Sequence, residues 1–328
     1  GRRPVVLLSN LGLGLDYLVM ALAPNVVWLI IGRTVSGIAS SSFSTAGAYI
    51  ADVTPVEERA AAYGKIGMVF GLGFVFGPAL GGWLGSFDPR LPFWGAAALS
   101  LLNAGYGFFV LPESLPPQSR MAFGWRRANP VGSLVLLRSH HELFGLPAVA
   151  FLGYLAHAVL PSTSVLYMGY RYGWGTAAVG LMMAGVGVAA MIVQGGLIRP
   201  ITTQFGERAT LLAGSLSGAA GFFTYGVAPE GWIFCLGIPI MAFWGLSGPA
   251  TQALLSRRVR LSEQGQLQGA IASINGVAGL IGPTLFTEVF AYFIGPGAVG
   301  HLPGAPFLLA SLLLVSAAAI AWRTTDPI

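Results

Sequence analysis

Apolar residues do not alternate with polar ones along this chain, and they do not form narrow stripes. They run on in long blocks, at about 4–23, 26–50, 61–85, 92–112, 144–168, 176–198, 209–228, 231–254, 268–293 and 305–322, separated by charges and turn residues. A helix rises 1.5 Å per residue, so each block can cross or nearly cross a hydrocarbon core of roughly 30 Å. The pattern predicts ten membrane helices. The block at 61–85 has no charge after Lys65 and contains Gly-Leu-Gly-Phe-Val-Phe-Gly-Pro-Ala-Leu-Gly-Gly over residues 71–82. Gly73, Gly77 and Gly81, each four apart, predict a flat stripe for close helix packing, with Gly82 beside it. Pro78 lacks a backbone donor and predicts a bend.

Composition supports this reading. Hydrophobic residues make up 55% of the 328 and charged residues only 9%, and the mean hydropathy is +0.72. Soluble domains carry about 25% charge. The single Cys235 allows no internal disulfide, and the four histidines lack metal-ligand spacing. The net charge of +5 reports topology rather than nucleic-acid binding. Of the seventeen basic residues, Arg90 and Arg171 fall on one side, Arg33 lies inside a block, and the other fourteen, nearly all in short loops, lie on the opposite, cytoplasmic side. The expected location is a membrane, crossed many times.

A gapless offset of 205 residues aligns Gly1 with Gly206, Arg3 with Arg208, Ala23-Pro24 with Ala228-Pro229, Glu58 with Glu263, Gly64 with Gly269, and Gly77-Pro78 with Gly282-Pro283. Both copies run in the same membrane direction, as parallel repeats of a transporter do. The second copy has two spans before its Gly206 that the first lacks before Gly1, so the expectation is a fragment with ten of twelve helices and about 60 residues missing. The expected division is 1–112 as the remainder of an N-terminal half, 113–143 as a basic, proline-containing cytoplasmic linker, and 144–328 as a C-terminal half.

Several stretches carry a resemblance. Gly1-Arg2-Arg3-Pro4 resembles the tail of the loop motif between helices 2 and 3 of major facilitator transporters, and residues 31–37, Ile-Gly-Arg-Thr-Val-Ser-Gly, resemble the arginine motif of their fourth helix. Residues 71–82 resemble the fifth-helix motif of drug/proton antiporters. Asp16-Tyr17, residues 46–52, Leu111-Pro112-Glu113-Ser114, and Leu255-Ser256-Arg257 followed by residues 265–269 are similar to the bacterial tetracycline/proton antiporters. The resemblance implies an all-α major facilitator fold of two parallel six-helix repeats and a multi-pass protein of the bacterial inner membrane that exports a hydrophobic or amphipathic compound, such as a tetracycline, by proton coupling. It implies no bound cofactor, the proton being the coupling ion, although a tetracycline could carry a divalent metal. Two positions depart from the pattern. Residues 209–228 hold no acid, with Gly218 aligned to the acidic position of the ninth helix, and Ala190 stands where a histidine is common, while Gln194 matches a nearby glutamine.

The charges suggest particular roles. Under the offset Arg2 corresponds to Glu207 and Asp52 to Arg257, so both members of a candidate pair change sign together. A cytoplasmic gate of Gly1, Arg2, Arg3, Asp52, Glu207, Arg208 and Arg257 follows, against the simpler alternative of positive-inside anchors with incidental acids. A charge at mid-helix costs roughly 2.5–3.5 kcal/mol on insertion scales. Asp16 is therefore the expected proton-linked acid, with Arg33 at the same depth as its partner or modulator, the alternative being a structural ion pair. Glu288 lies near a span end and is expected to reach the interface. His157 could line a cavity or satisfy a carbonyl, and Gln194 joins the candidate pathway. An uptake permease of the same fold is the nearest alternative function. An intramembrane enzyme has little support, because Glu57-Glu58 lies in a loop and no second carboxylate pair or His-Glu-x-x-His accompanies it. The expected partners are a small-molecule substrate and the lipid bilayer, with no nucleic acid and a monomeric state.

Overall fold

The computed structural model describes residues 1–39, 42–116, 118, 120, 145–295 and 300–325. Each predicted block is helical. The first is α1 (Arg2–Leu22), the second is covered by α2 (Val26–Ala39) and α3 (Ser42–Val53), and the next two are α4 (Arg59–Phe87) and α5 (Leu91–Val110). After the linker, most of which (121–144) lies outside the described residues, come α6 (Leu146–His157) and α7 (Val159–Tyr172), which share one block. The rest are α8 (Thr176–Ile192), α9 (Ile198–Val227), α10 (Gly231–Ala242), α11 (Ser247–Arg257), α12 (Gln264–Ile294) and α13 (Ala305–Thr324). Among the described residues seven helical runs are long and apolar enough to cross a membrane, and the run Ala178–Val227 holds two predicted spans. Those two meet at Gly206, whose φ of 79° lets the chain turn where a side chain would be strained.

Two spans are interrupted at their middles and a third near its cytoplasmic end. Ala158 breaks α6 from α7, a π-helical turn (Val193–Leu197) follows α8, and a 3₁₀ turn (Phe243–Leu246) separates α10 from α11. In the second half α9 packs on α13, and α6 packs on α13 and α12. Aromatic side chains fill that space, with Tyr225 stacked on Phe234 at 4.1 Å. The Tyr167 hydroxyl donates to the Tyr225 carbonyl at 3.0 Å, so the phenol is buried with its polar end satisfied. The two halves meet where α4 packs on α8 and α11, and α3 on α12.

The glycine seam of α4 differs from the expected one. A Cβ added at Gly73, Gly77 or Gly81 would meet no atom within 4 Å among the described residues. Close approach occurs instead at Gly64, Gly67 and Gly71, where an added Cβ would lie 2.8 Å from Ile198 Cγ2, collide with the Gln194 carboxamide, and lie 2.9 Å from the Gly187 carbonyl oxygen. At roughly 100° per residue, Gly73 points about 200° away from Gly71, so only one of the two glycine sets can face α8. Pro78 and Gly82 fall within the same helix. In the second half Gly282 packs on the Ala158 Cβ, where α6 breaks from α7, and Pro283 lies one residue further along α12, exposed.

Candidate functional site: a cytoplasmic closure and a buried acid

Two ion pairs of opposite polarity stand at the cytoplasmic ends. Arg2 Nε donates to Asp52 Oδ2 at 3.0 Å, joining α1 to α3, and Arg257 Nη2 lies 3.1 Å from Glu207 Oε1, joining α11 to α9. Each arginine also reaches the opposite half. Arg2 Nη2 donates to the Leu261 carbonyl and Arg257 Nη2 to the Val56 carbonyl, both at 3.4 Å, and these two acceptors are themselves 205 residues apart.

The environments of the two acids differ. Asp52 Oδ2 also accepts from Ser114 Oγ at 2.9 Å. Glu113 accepts from the backbone N–H groups of Arg2 at 2.7 Å and Leu115 at 3.2 Å, and its carboxylate fills the space beside Gly1. Burial opposes ionisation of Glu113, but these donors together with Arg120 outweigh it and hold the carboxyl below its ordinary range. Glu207, at the turn outside the predicted spans, is buried and among the described residues receives no directed hydrogen bond. Desolvation there outweighs the attraction of Arg257 and Arg59, and its carboxyl is pushed up to about 7.

Beneath the pairs lies a device that sequence reasoning missed. Arg59, only 6% exposed, donates from Nη2 to the Ala51 carbonyl at 2.8 Å and from Nη1 across the halves to the Ser256 carbonyl at 3.1 Å. Its repeat equivalent, Gln264, donates to the same Ser256 carbonyl at 2.7 Å. Ala51 and Ser256 are also repeat equivalents. Tyr63 donates to the Gly47 carbonyl at 3.3 Å, and Gln268, 205 residues on, donates to Gln252, the equivalent of Gly47, at 3.3 Å. The available signal was the offset, which pairs Arg59 with another long polar side chain. Because both sites were counted as loop residues, nothing flagged either as buried.

Of the remaining gate residues, Arg3 and Arg208 face outward from the bundle ends. Arg3 Nη2 donates to the Phe108 carbonyl at 2.6 Å with its guanidinium 5.6 Å over that ring, and Arg208 donates to the Trp322 carbonyl at 2.9 Å, 5.1 Å over the indole. Both arginines brace helix ends and lie apart from the ion pairs.

Within the membrane, Asp16 is 2% exposed, and among the described residues neither carboxylate oxygen has a hydrogen-bond partner. The expected partnership with Arg33 is absent. Gly32 is the residue of α2 that meets it, since an added Cβ there would lie 2.7 Å from Asp16 Oδ1, while Arg33 is exposed. Successive helical residues point about 100° apart, so a helix that turns Gly32 to Asp16 turns Arg33 away. His157 and Gln194 lie in the other half. His157 is exposed at the break after α6, with its ring 5.7 Å from that of Trp244. Gln194 sits in the π-turn between Gly67 of the first half and Gly245 of the second. Glu288 is exposed on the outer part of α12.

Residues 1–283 match the family model of the Major Facilitator Superfamily. The chain is 37% identical over 292 residues to the class C tetracycline resistance protein of Escherichia coli, covering 89% of this chain and 73% of that protein. It is 37% identical over 298 residues to the class G tetracycline resistance protein of Vibrio anguillarum, covering 90% and 75%. Among solved structures, the human organic anion transporter MFSD10 superposes with a TM-score of 0.87 at 24% identity, covering 98% of this chain and 77% of that one. FucP in its outward conformation gives 0.77 at 14% identity, covering 100% and 84%, a likeness of fold alone. The matches, the ten helical blocks and the parallel repeat agree, and the chain belongs to the major facilitator superfamily as a multi-pass inner-membrane transporter related to the tetracycline resistance proteins.

Proposed function

We propose that the protein is a proton-coupled exporter of a hydrophobic or amphipathic compound, with tetracyclines as the first candidates because the relatives at 37% identity are named for resistance to them. The observation that carries the coupling is Asp16, a carboxyl buried in a membrane helix with neither oxygen bonded among the described residues. Ionisable residues inside a membrane mark ion and proton pathways, and a carboxyl is a group that can carry a proton along one. The arrangement at the cytoplasmic ends, with the halves bridged through Arg2, Arg59 and Arg257, supports reading this conformation as closed toward the cytoplasm. Protonation of Asp16 from the opposite side would then precede opening inward. The proton is the only coupling ion in this scheme, and a divalent metal enters only as a chelate of the substrate. A proton moving inward supplies about 1.4 kcal/mol per pH unit and about 2.3 kcal/mol per 100 mV, enough to concentrate a substrate roughly tenfold per pH unit. Asp16→Asn tests the assignment. In proteoliposomes with an imposed pH gradient the variant is expected to lose driven transport while still binding substrate and folding. Undiminished pH-driven transport would refute the coupling role.

A further inference from the structure

The three interruptions of the second half lie in one line of contacts. Trp244 belongs to the 3₁₀ turn, His157 closes α6 at the break, and Gln194 belongs to the π-turn. His157 and Trp244 have ring centroids 5.7 Å apart at an interplanar angle of 37°. The neighbour of Trp244, Gly245, lies against Gln194, so that an added Cβ would be 2.8 Å from Nε2. The same carboxamide abuts Gly67 of the first half. This line of contacts runs from the break after α6 across the second half to the first, and the 3₁₀ turn that carries Trp244 stands where the two halves meet.

Trp244 is seated there by its surroundings. A Cβ at Gly218 of α9 would lie 2.6 Å from Trp244 Cγ, so only glycine leaves room for the indole. Phe222, one turn further along α9, packs edge-on against it at 5.3 Å. His157 is exposed although Leu155, Ala156, Ala158 and Val159 around it are all buried. An imidazole kept open beside a fixed indole offers a flat apolar surface edged by a hydrogen-bonding group.

We propose that His157 and Trp244 form a recognition shelf for substrates with a planar aromatic face and a polar edge, the indole taking the face and the imidazole hydrogen-bonding the edge. Gly218 acts as a positioning residue that determines where the indole stands. This inference rests on the export reading and names the substrate class for it. Irregular helix turns collected around exposed polar and aromatic groups are a recurrent feature of transport sites.

The test uses the full-length protein with radiolabelled tetracycline, and ethidium as a second planar probe. Equilibrium binding is measured in detergent, pH-driven transport in proteoliposomes and thermal unfolding alongside both. Trp244→Leu and His157→Ala are expected to weaken binding of at least one probe tenfold or more with unchanged unfolding temperature. Trp244→Phe should stay within about threefold of the wild type, and Gly218→Ala, which cannot touch the ligand, should weaken binding about fivefold by moving the indole. Wild-type affinity in both Trp244→Leu and His157→Ala, with transport intact, would overturn the shelf and leave the export reading standing. If the wild type neither binds nor moves either probe, the shelf and the export reading fall together.

Discussion

The two halves are alike at their cytoplasmic ends and unlike at membrane depth. At the ends, the Arg2–Asp52 pair, the carbonyl contact of Arg2 with the other half and the Arg59 donation to Ala51 each have a counterpart 205 residues away, with the charges of the pair exchanged. An ion pair works in either polarity provided both members change together. At depth, Asp16 has Gly221 as its repeat equivalent, and a Cβ there would lie 3.0 Å from Met241 Cα. The second half has closed that position with backbone and filled the neighbourhood with aromatic rings. Duplicated closure with unduplicated chemistry at depth is what the proposed coupling through Asp16 alone calls for.

The sharpest way to break the comparison is to move the acid. Asp16→Gly combined with Gly221→Asp should leave pH-driven transport at background, because α10 backbone occupies the space a side chain at 221 needs.

The ion pairs come next. Arg2→Ala leaves Asp52 buried and uncompensated, and should cost about 3–5 kcal/mol of apparent stability. Arg257→Ala should cost less, about 1–2 kcal/mol at neutral pH, because Glu207, already pushed up to about 7, can take a proton instead. Arg2→Asp with Asp52→Arg should recover part of the loss of either single change, and strict additivity in that double-mutant cycle would mean the two do not interact.

The pH dependence of Glu207 follows from the same asymmetry. Its folded carboxyl titrates near 7 against an ordinary 4.5, so the folded chain holds the proton more tightly than the unfolded one. Its contribution to stability is therefore most favourable below about 4.5, falls as pH rises to about 7, and is flat above. Between pH 5 and pH 8 the wild type should lose roughly 2 kcal/mol relative to Glu207→Gln. Parallel unfolding curves for the two proteins across that range would contradict it.

The smallest effect is expected at Gly67, whose repeat equivalent, Ala272, already carries a Cβ. Gly67→Ala would push the Gln194 carboxamide out of its slot and weaken the closed arrangement by about 1 kcal/mol, roughly a fivefold shift toward the cytoplasm-open state. Labelling of a cysteine introduced at the cytoplasmic face should accelerate by that factor.

Some of this was legible in the amino-acid order alone. Long uncharged runs can only be membrane helices, loop arginines set their direction, and punctuation residues 205 apart reveal a repeat, because each depends on local chemistry and spacing. The exchanged charges of Arg2–Asp52 and Glu207–Arg257 were readable for the same reason. Rotation about a helix axis was not. Gly73, Gly77 and Gly81 looked like the packing stripe of α4, and Arg33 looked like a partner for Asp16, because sequence reports depth along a helix without reporting which way a residue points. The neighbouring helices decided that Gly64, Gly67 and Gly71 face α8 and that Gly32 meets Asp16. Burial at the loop ends was equally hidden. Arg59 and Gln264 sit in polar sequence, and only the meeting of the two halves encloses them over a shared carbonyl.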